Sequence, residues 1–267
     1  MTALHFSLLH GFLQNQTSWN SLTEKLRVAF PGATFTPHNL PGHGETAVSS
    51  PTALSSTSHL SDAIQWYIAQ IQPISPCWAI GYSMGARLVL NTMLSCPDLF
   101  LGTVLISVHP GIRTAAERRA RIEWEQRLIS IARNGGMSDL VEYFEGLPIF
   151  ESQSKLATSK LQHQQHMRLS HHPEDIANAI SLLGLGHSPD TDAALSQCNR
   201  PTLLITGERD TKYSQLSAEM SRRSKRIQHH TISGVGHNTV LEAPHQTFAA
   251  IAAFITRYRT AQSTGSD

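Results

Sequence analysis

Gly81-Tyr82-Ser83-Met84-Gly85 lies between an apolar run at residues 78–80 and a segment with helical spacing at 84–96. A strand therefore turns sharply into a helix at Ser83. The pattern G-x-S-x-G in that setting is a nucleophile elbow. The turn strains the central serine, and a side chain at position 81 or 85 would collide with it. The strain lifts the Ser83 hydroxyl out of the sheet. The helix that follows directs free backbone N–H groups toward the same place, which makes the Met84 amide a candidate oxyanion donor.

Working outward from the elbow, short aliphatic or β-branched runs at 4–9, 34–36, 78–81, 103–107, 202–206 and 227–232 predict strands. Segments at 19–30, 60–71, 84–96, 214–224 and 244–258 have helical spacing. Strands alternating with helices predict an α/β fold with a mostly parallel sheet covered on both faces. Residues 112–194 break that rhythm, with helical segments at 115–132 and 173–185 and no convincing strand. They are read as a helical cap inserted into a core made of residues 1–111 and 195–267. Polar loops are expected at 45–58 and 187–192, and a frayed tail from Gln262.

A chain of 267 residues with 40% hydrophobic residues is long enough for a substantial core, which excludes disorder as its main state. The 21 Lys and Arg against 20 Asp and Glu provide no global field to attract nucleic acid, so anion recognition has to be local. The longest clean apolar run, 249–255, is far shorter than the roughly 20 residues that span a bilayer. The N-terminal residues lack the basic and apolar regions of a secretion signal. Three widely spaced cysteines, Cys77, Cys96 and Cys198, fit a reducing compartment. A cytoplasmic location is expected.

A serine nucleophile or base needs a histidine, and the histidine needs an orienting acid. His237 closes the Gly-rich loop Ser233-Gly234-Val235-Gly236, and Asp210 lies just past the preceding strand in Gly207-Glu208-Arg209-Asp210. The order Ser83, Asp210, His237 is that of α/β-hydrolases. All three fall beyond the carboxyl ends of predicted strands, where sites collect in open parallel sheets. Glu208 is an alternative acid in the same loop, and either carboxylate could simply cap the next helix. A second oxyanion donor is expected from the loop after the first strand, His10-Gly11-Phe12, where the Phe12 amide is the candidate. Leu40-Pro41-Gly42-His43-Gly44 forms a further turn beside this site.

Together these residues resemble the α/β-hydrolase superfamily over nearly the whole chain. The resemblance narrows at Gly81 to Arg87, at His109-Pro110-Gly111 followed by Glu117-Arg118 and Arg121, at the Phe-rich segment ending Pro148-Ile149-Phe150, and at Arg168. These are similar to the MenH-type 2-succinyl-6-hydroxy-2,4-cyclohexadiene-1-carboxylate synthases of menaquinone or phylloquinone biosynthesis. The resemblance implies a lyase that eliminates pyruvate from a small cyclohexene carrying three carboxylates, with Ser83 as general base and no cofactor or metal. It also implies that Arg87, Arg118, Arg121 and Arg168 bind those carboxylates and that Tyr82 lines the pocket. Arg87 stands one helical turn past Ser83, and Arg118 and Arg121 share a helix face. Guanidinium forks match carboxylates bidentately. Glu117, Arg121 and Glu125 also have the spacing of an ordinary solvated charge ladder.

Two departures from the family pattern stand out. The chain begins almost at the strand that usually comes third, which predicts a shortened sheet edge and leaves open a monomer or a small homo-oligomer. Asn39 replaces an aspartate common before the Leu-Pro-Gly-His-Gly loop.

The competing reading is a carboxylesterase or thioesterase with Ser83 as covalent nucleophile, which has no use for Arg87, Arg121 and Arg168. A non-catalytic binding protein on this scaffold would have no need to keep Ser83, Asp210 and His237 together. A metal enzyme is prompted by His163 and His166, His171-His172 and His229-His230, but no H-E-x-x-H is present. Dinucleotide binding fails because Gly184-Leu185-Gly186 lacks a third glycine and a preceding strand.

Overall fold

A computed structural model of the chain describes residues 4–44 and 59–264, so the loop expected at 45–58 lies outside the described residues. The strands β1 (His5–Leu9), β2 (Thr34–His38), β3 (Cys77–Tyr82), β4 (Phe100–Ile106), β5 (Thr202–Gly207) and β6 (Ile227–Ile232) form one sheet in the order β2-β1-β3-β4-β5-β6. Every pairing is parallel. All six expected strands are present, and no antiparallel hairpin precedes β1 among the described residues. The chain leaves β1 toward β2 and returns to its other side as β3, where Leu9 pairs with Gly81. That reversal opens a crevice at the carboxyl ends of β1 and β3, where a doubly covered sheet binds its ligands.

The helices are α1 (Asn20–Ala29), α2 (His59–Ile71), α3 (Met84–Ser95), α4 (Ala115–Glu145), α5 (Thr158–Leu169), α6 (Pro173–Leu183), the short α7 (Asp192–Leu195), α8 (Thr211–Ser221), the short α9 (Thr239–Glu242) and α10 (Pro244–Thr264). Strand alternation sorts the core into two layers. Phe6, Leu8, Trp78, Ile80, Val104, Ile106, Leu203 and Ile205 point to one face, against Leu22 and Leu26 of α1 and Ile251, Phe254 and Ile255 of α10. Leu9, Cys77, Ala79, Leu105 and Leu204 point to the other, against Tyr67 and Ile71 of α2 and Leu88, Leu90 and Met93 of α3. Burial of each large apolar side chain stabilises by roughly 1.5–3 kcal/mol. The strands under the elbow are therefore a firm floor.

Between β4 and β5 the described residues are helical and contain no strand. This segment has its own apolar cluster, built from Leu128, Ile129 and Leu140 of α4 and Ile176 and Ile180 of α6, and it also takes in Leu13 from the loop after β1. Three of its features differ from expectation. α4 continues past residue 132 to Glu145 by breaking at Gly136, whose φ of 72° and ψ of −168° only glycine adopts readily. α5 had no counterpart among the predicted helices, because its sequence TSKLQHQQHMRL carries almost no apolar stripe. What it buries instead is Gln164, Met167 and Arg168. α6 ends at Leu183, two residues before the predicted limit.

Outside this segment, α8 starts three residues earlier than predicted, because the Asp210 side chain caps it by accepting from the Tyr213 amide. α10 runs on to Thr264, so the fraying expected from Gln262 is replaced by helix up to that point. Asn39 holds the neighbouring loop by accepting from the Gln16 amide at 2.7 Å. No helix among the described residues is long and apolar enough to cross a membrane.

Candidate active site

Ser83 sits at the elbow with φ 49° and ψ −107°, a strained conformation that costs roughly 1–3 kcal/mol and has to be held by its surroundings. Its amide donates to Ile106 O at 2.9 Å. A Cβ on Gly81 would come within 2.6 Å of Ala86 Cα, and one on Gly85 would run into Leu9 O and His10 O. The two glycines thus let α3 start against the ends of β1 and β3.

The Ser83 hydroxyl lies 3.1 Å from His237 Nε2, and His237 Nδ1 lies 2.5 Å from Asp210 Oδ2. An ionised carboxylate only accepts, so Nδ1 carries the proton and Nε2 is left to accept from the Ser83 hydroxyl. His237 is 3% exposed and Asp210 7%. The Glu208 carboxylate turns away, accepting from the Ser233 hydroxyl and the Gly234 amide at 2.7 and 2.8 Å. Of the two candidate acids, only Asp210 reaches the histidine.

Three supports of this array carried no sequence signal. Ser107 donates to His237 O at 2.7 Å. Glu242 accepts from the amides of Gly236 and Asn238 at 2.7 and 3.2 Å, clamping the histidine's backbone from both sides. The Tyr213 ring packs edge-on against the imidazole at 4.6 Å.

The two predicted oxyanion donors line one cavity together with Ser83 and His237. The amides flanking them are occupied: Gly11 N donates to Gln14 Oε1, Leu13 N to His43 Nε2 and Gly85 N to His10 O. Met84 is the first residue of α3, where a helix leaves its N–H unused, and Phe12 lies outside any regular element. Behind them, His10 donates from Nδ1 to Gly11 O and accepts at Nε2 from the Leu40 amide. Burial pushes the His10 imidazole down to about 3 and holds His43 well below the usual range. Both rings are neutral struts.

The cavity has a volume of about 280 Å³ and is walled by Phe144, Phe150, Trp124 and Leu128 from the helical segment. Arg87 and Arg121 line it. Arg87 donates to Ser188 Oγ at 2.8 Å and Leu183 O at 2.7 Å, and burial, aided by the charge of Arg121, brings it down to about 10. It remains a cation at neutral pH. Arg121 gives Nε to Glu125 at 2.7 Å and lies 4.3 Å over the Trp124 ring, with no protein partner for its two terminal amino groups among the described residues. The charge-ladder alternative describes only half of this arrangement. The Glu117 carboxylate accepts from the Thr114 hydroxyl, which in turn caps the helix by accepting from the Glu117 amide, while Glu125 is 4% exposed and also accepts from the Leu185 and Gly186 amides.

The other expected contacts differ. Arg118 donates to Gly186 O, Ser188 O and Ile112 O, outside the cavity, and ties α4 to the chain that follows α6. Arg168, 3% exposed, pairs with Glu145 at 2.8 Å and lies 5.4 Å from the Phe144 and Phe150 rings, behind the cavity wall rather than on it. Tyr82 packs 5.5 Å from the His237 ring and lines a neighbouring cavity of about 350 Å³, which holds none of Ser83, Asp210 or His237. The histidine pairs serve locally: His171 accepts from the Gly44 amide and His229 bonds Thr206 Oγ1. No group of three or more His, Cys, Asp or Glu is placed to hold a metal ion among the described residues.

The profile of the alpha/beta hydrolase family matches residues 8–251. A Bacillus subtilis protein provisionally named a 2-succinyl-6-hydroxy-2,4-cyclohexadiene-1-carboxylate synthase is 30% identical over 93% of this chain and 89% of its own length. The Citrobacter koseri protein of that name is 29% identical over 88% of this chain and 87% of its own. Among solved structures, MenH from S. aureus superposes with a TM-score of 0.89 at 24% identity, covering 97% of this chain and 96% of that one.

Proposed function

Because the chain belongs to the alpha/beta hydrolase family and, within it, to the MenH-type 2-succinyl-6-hydroxy-2,4-cyclohexadiene-1-carboxylate synthases, we propose that its triad works as a base in a lyase reaction of menaquinone or phylloquinone biosynthesis. The substrate is 2-succinyl-5-enolpyruvyl-6-hydroxy-3-cyclohexene-1-carboxylate. Ser83, deprotonated with help from His237, removes the ring proton next to the succinyl carbonyl, and Asp210 holds the imidazolium that results. The electrons pass through the ring double bond and expel the enolpyruvyl oxygen. Two conjugated ring double bonds remain, and the departing enol takes up a proton as pyruvate. The succinyl oxygen gains charge as the proton leaves, and the Phe12 and Met84 amides receive it.

The observation that carries this reading is the wall in front of Ser83. Arg87 and Arg121 line it, and Arg121 keeps two terminal amino groups without protein partners among the described residues, so the cavity is made for carboxylates rather than for a plain acyl chain. Arg168 enters indirectly, by bracing Phe144 and Phe150. A cytoplasmic location fits the three free cysteines.

The test is single-turnover pyruvate release from the enolpyruvyl-cyclohexene substrate by wild type and Ser83→Ala, with a short-chain nitrophenyl ester in parallel. Loss of about 10²- to 10⁴-fold in the variant, with feeble ester cleavage by wild type, is the expected result. Brisk ester cleavage without pyruvate release would make Ser83 a covalent nucleophile in an esterase.

A further inference from the structure

Three cationic side chains line the cavity in front of Ser83, and two are already engaged by the protein. Arg87 spends its terminal amino groups on Ser188 and Leu183 O, and Arg121 gives Nε to Glu125. The third is Lys212, two residues beyond the stretch Gly207-Glu208-Arg209-Asp210. It stands in the first turn of α8, next to Tyr213, whose ring packs on His237. Its position relative to the triad is thus set by the cap that starts α8.

The Lys212 ammonium makes no hydrogen bond or ion pair with any described residue. Glu125, the one carboxylate lining the cavity among the described residues, is taken by Arg121 and by the Leu185 and Gly186 amides. His109 reports the crowding of charge at this end. Its imidazole is brought down to about 3, first by burial and then by Lys212, Arg87 and Arg121 together. The substrate of the proposed lyase carries three carboxylates, while Arg118 and Arg168 are committed to carbonyl groups and to Glu145.

We infer that Lys212 is a substrate-binding residue, its ammonium taking one carboxylate of the cyclohexene substrate at the open side of the cavity. The inference rests on the lyase reading. A lysine suits the place, because a flexible stem with a compact charge can follow a carboxylate at an exposed edge where no fixed fork is held.

Pyruvate release by Lys212→Met, Lys212→Arg and Lys160→Met, measured against wild type over a range of salt concentrations, decides the matter. Lys160 lines the neighbouring cavity and supplies a matched loss of charge. In Lys212→Met the KM is expected to rise about tenfold, with the larger part of the loss in KM and with a shallower dependence on salt. Lys212→Arg restores most of the loss, and Lys160→Met leaves KM at the wild-type value. If Lys212→Met keeps the wild-type KM, or if Lys160→Met raises KM equally, the inference is overturned while the lyase reading stands. If wild type releases no pyruvate, the lyase reading fails and takes the inference with it.

Discussion

Arg118 and Arg121 stand three residues apart on one face of α4, yet only Arg121 reaches the cavity. The difference lies in what surrounds each guanidinium. Arg118 meets three carbonyl oxygens, two of them nearly 70 positions away in the chain, and no local pattern could announce them. Arg121 meets Glu125 one turn on, a pairing that spacing did announce, although its burial and its backbone anchors were not legible. Replacing each with alanine should separate the two roles. Arg118→Ala is expected to lower stability by about 1–3 kcal/mol in urea unfolding, with little change in KM. Arg121→Ala should raise KM about tenfold or more, with some loss of stability as well, because it leaves the buried Glu125 carboxylate held by the Leu185 and Gly186 amides alone. At this scale the triad was readable because the elbow is local and the chain order of acid and histidine follows the sheet. Lys212 and Glu242 were not, because their meaning comes from the side they face.

α4 and α5 show how far periodicity carries at the scale of elements. The first arm of α4 and the whole of α6 bury apolar stripes and were expected, whereas α5 packs through Gln164, Met167 and Arg168 and left no stripe to find. The second arm of α4 lies past Gly135-Gly136, a pair that weakens any helical pattern running through it. Gly136 acts as a hinge between two helical runs, with φ at 72° and ψ at −168°. No atom lies within 4 Å of where a Cβ would stand there, so any penalty for a side chain is conformational rather than steric. Gly136→Ala should therefore cost roughly 1–3 kcal/mol in chemical denaturation, and an unchanged midpoint would show that the arms can meet at another angle.

Across the whole molecule, the sheet was legible because buried parallel strands are nearly continuous apolar runs. What the sequence concealed is a column of imidazoles joining the layers. The rings of His10 and His43 are 5.2 Å apart and those of His43 and His171 5.3 Å, linking the loop after β1, the Leu40 to Gly44 turn and the helical segment. All three are held below the usual imidazole range, chiefly by burial, and they also repel one another when charged. The unfolded chain therefore binds protons that the folded one refuses. The stability these rings allow is complete above pH 6.5 and declines as the pH falls from there toward the His10 value of about 3. By pH 5 His10 alone accounts for roughly 2 kcal/mol. The melting temperature should drop steeply between pH 7 and pH 5, and His171→Gln should blunt that drop. A flat profile over that range would show that the cluster protonates without cost.

Leu13 is fully buried and its side chain belongs to the apolar cluster of the helical segment, not to the layers of the sheet. One position before it stands Phe12, whose ring meets Phe144 of α4 at 5.3 Å. The helical segment between β4 and β5 is therefore no detachable accessory. An engineer who trimmed it away to expose the triad to bulky esters would also remove the packing that holds Phe12 beside the elbow. Grafting this helical segment onto another scaffold of the same family would fail for the complementary reason, unless the loop from His10 to Gln14 travelled with it.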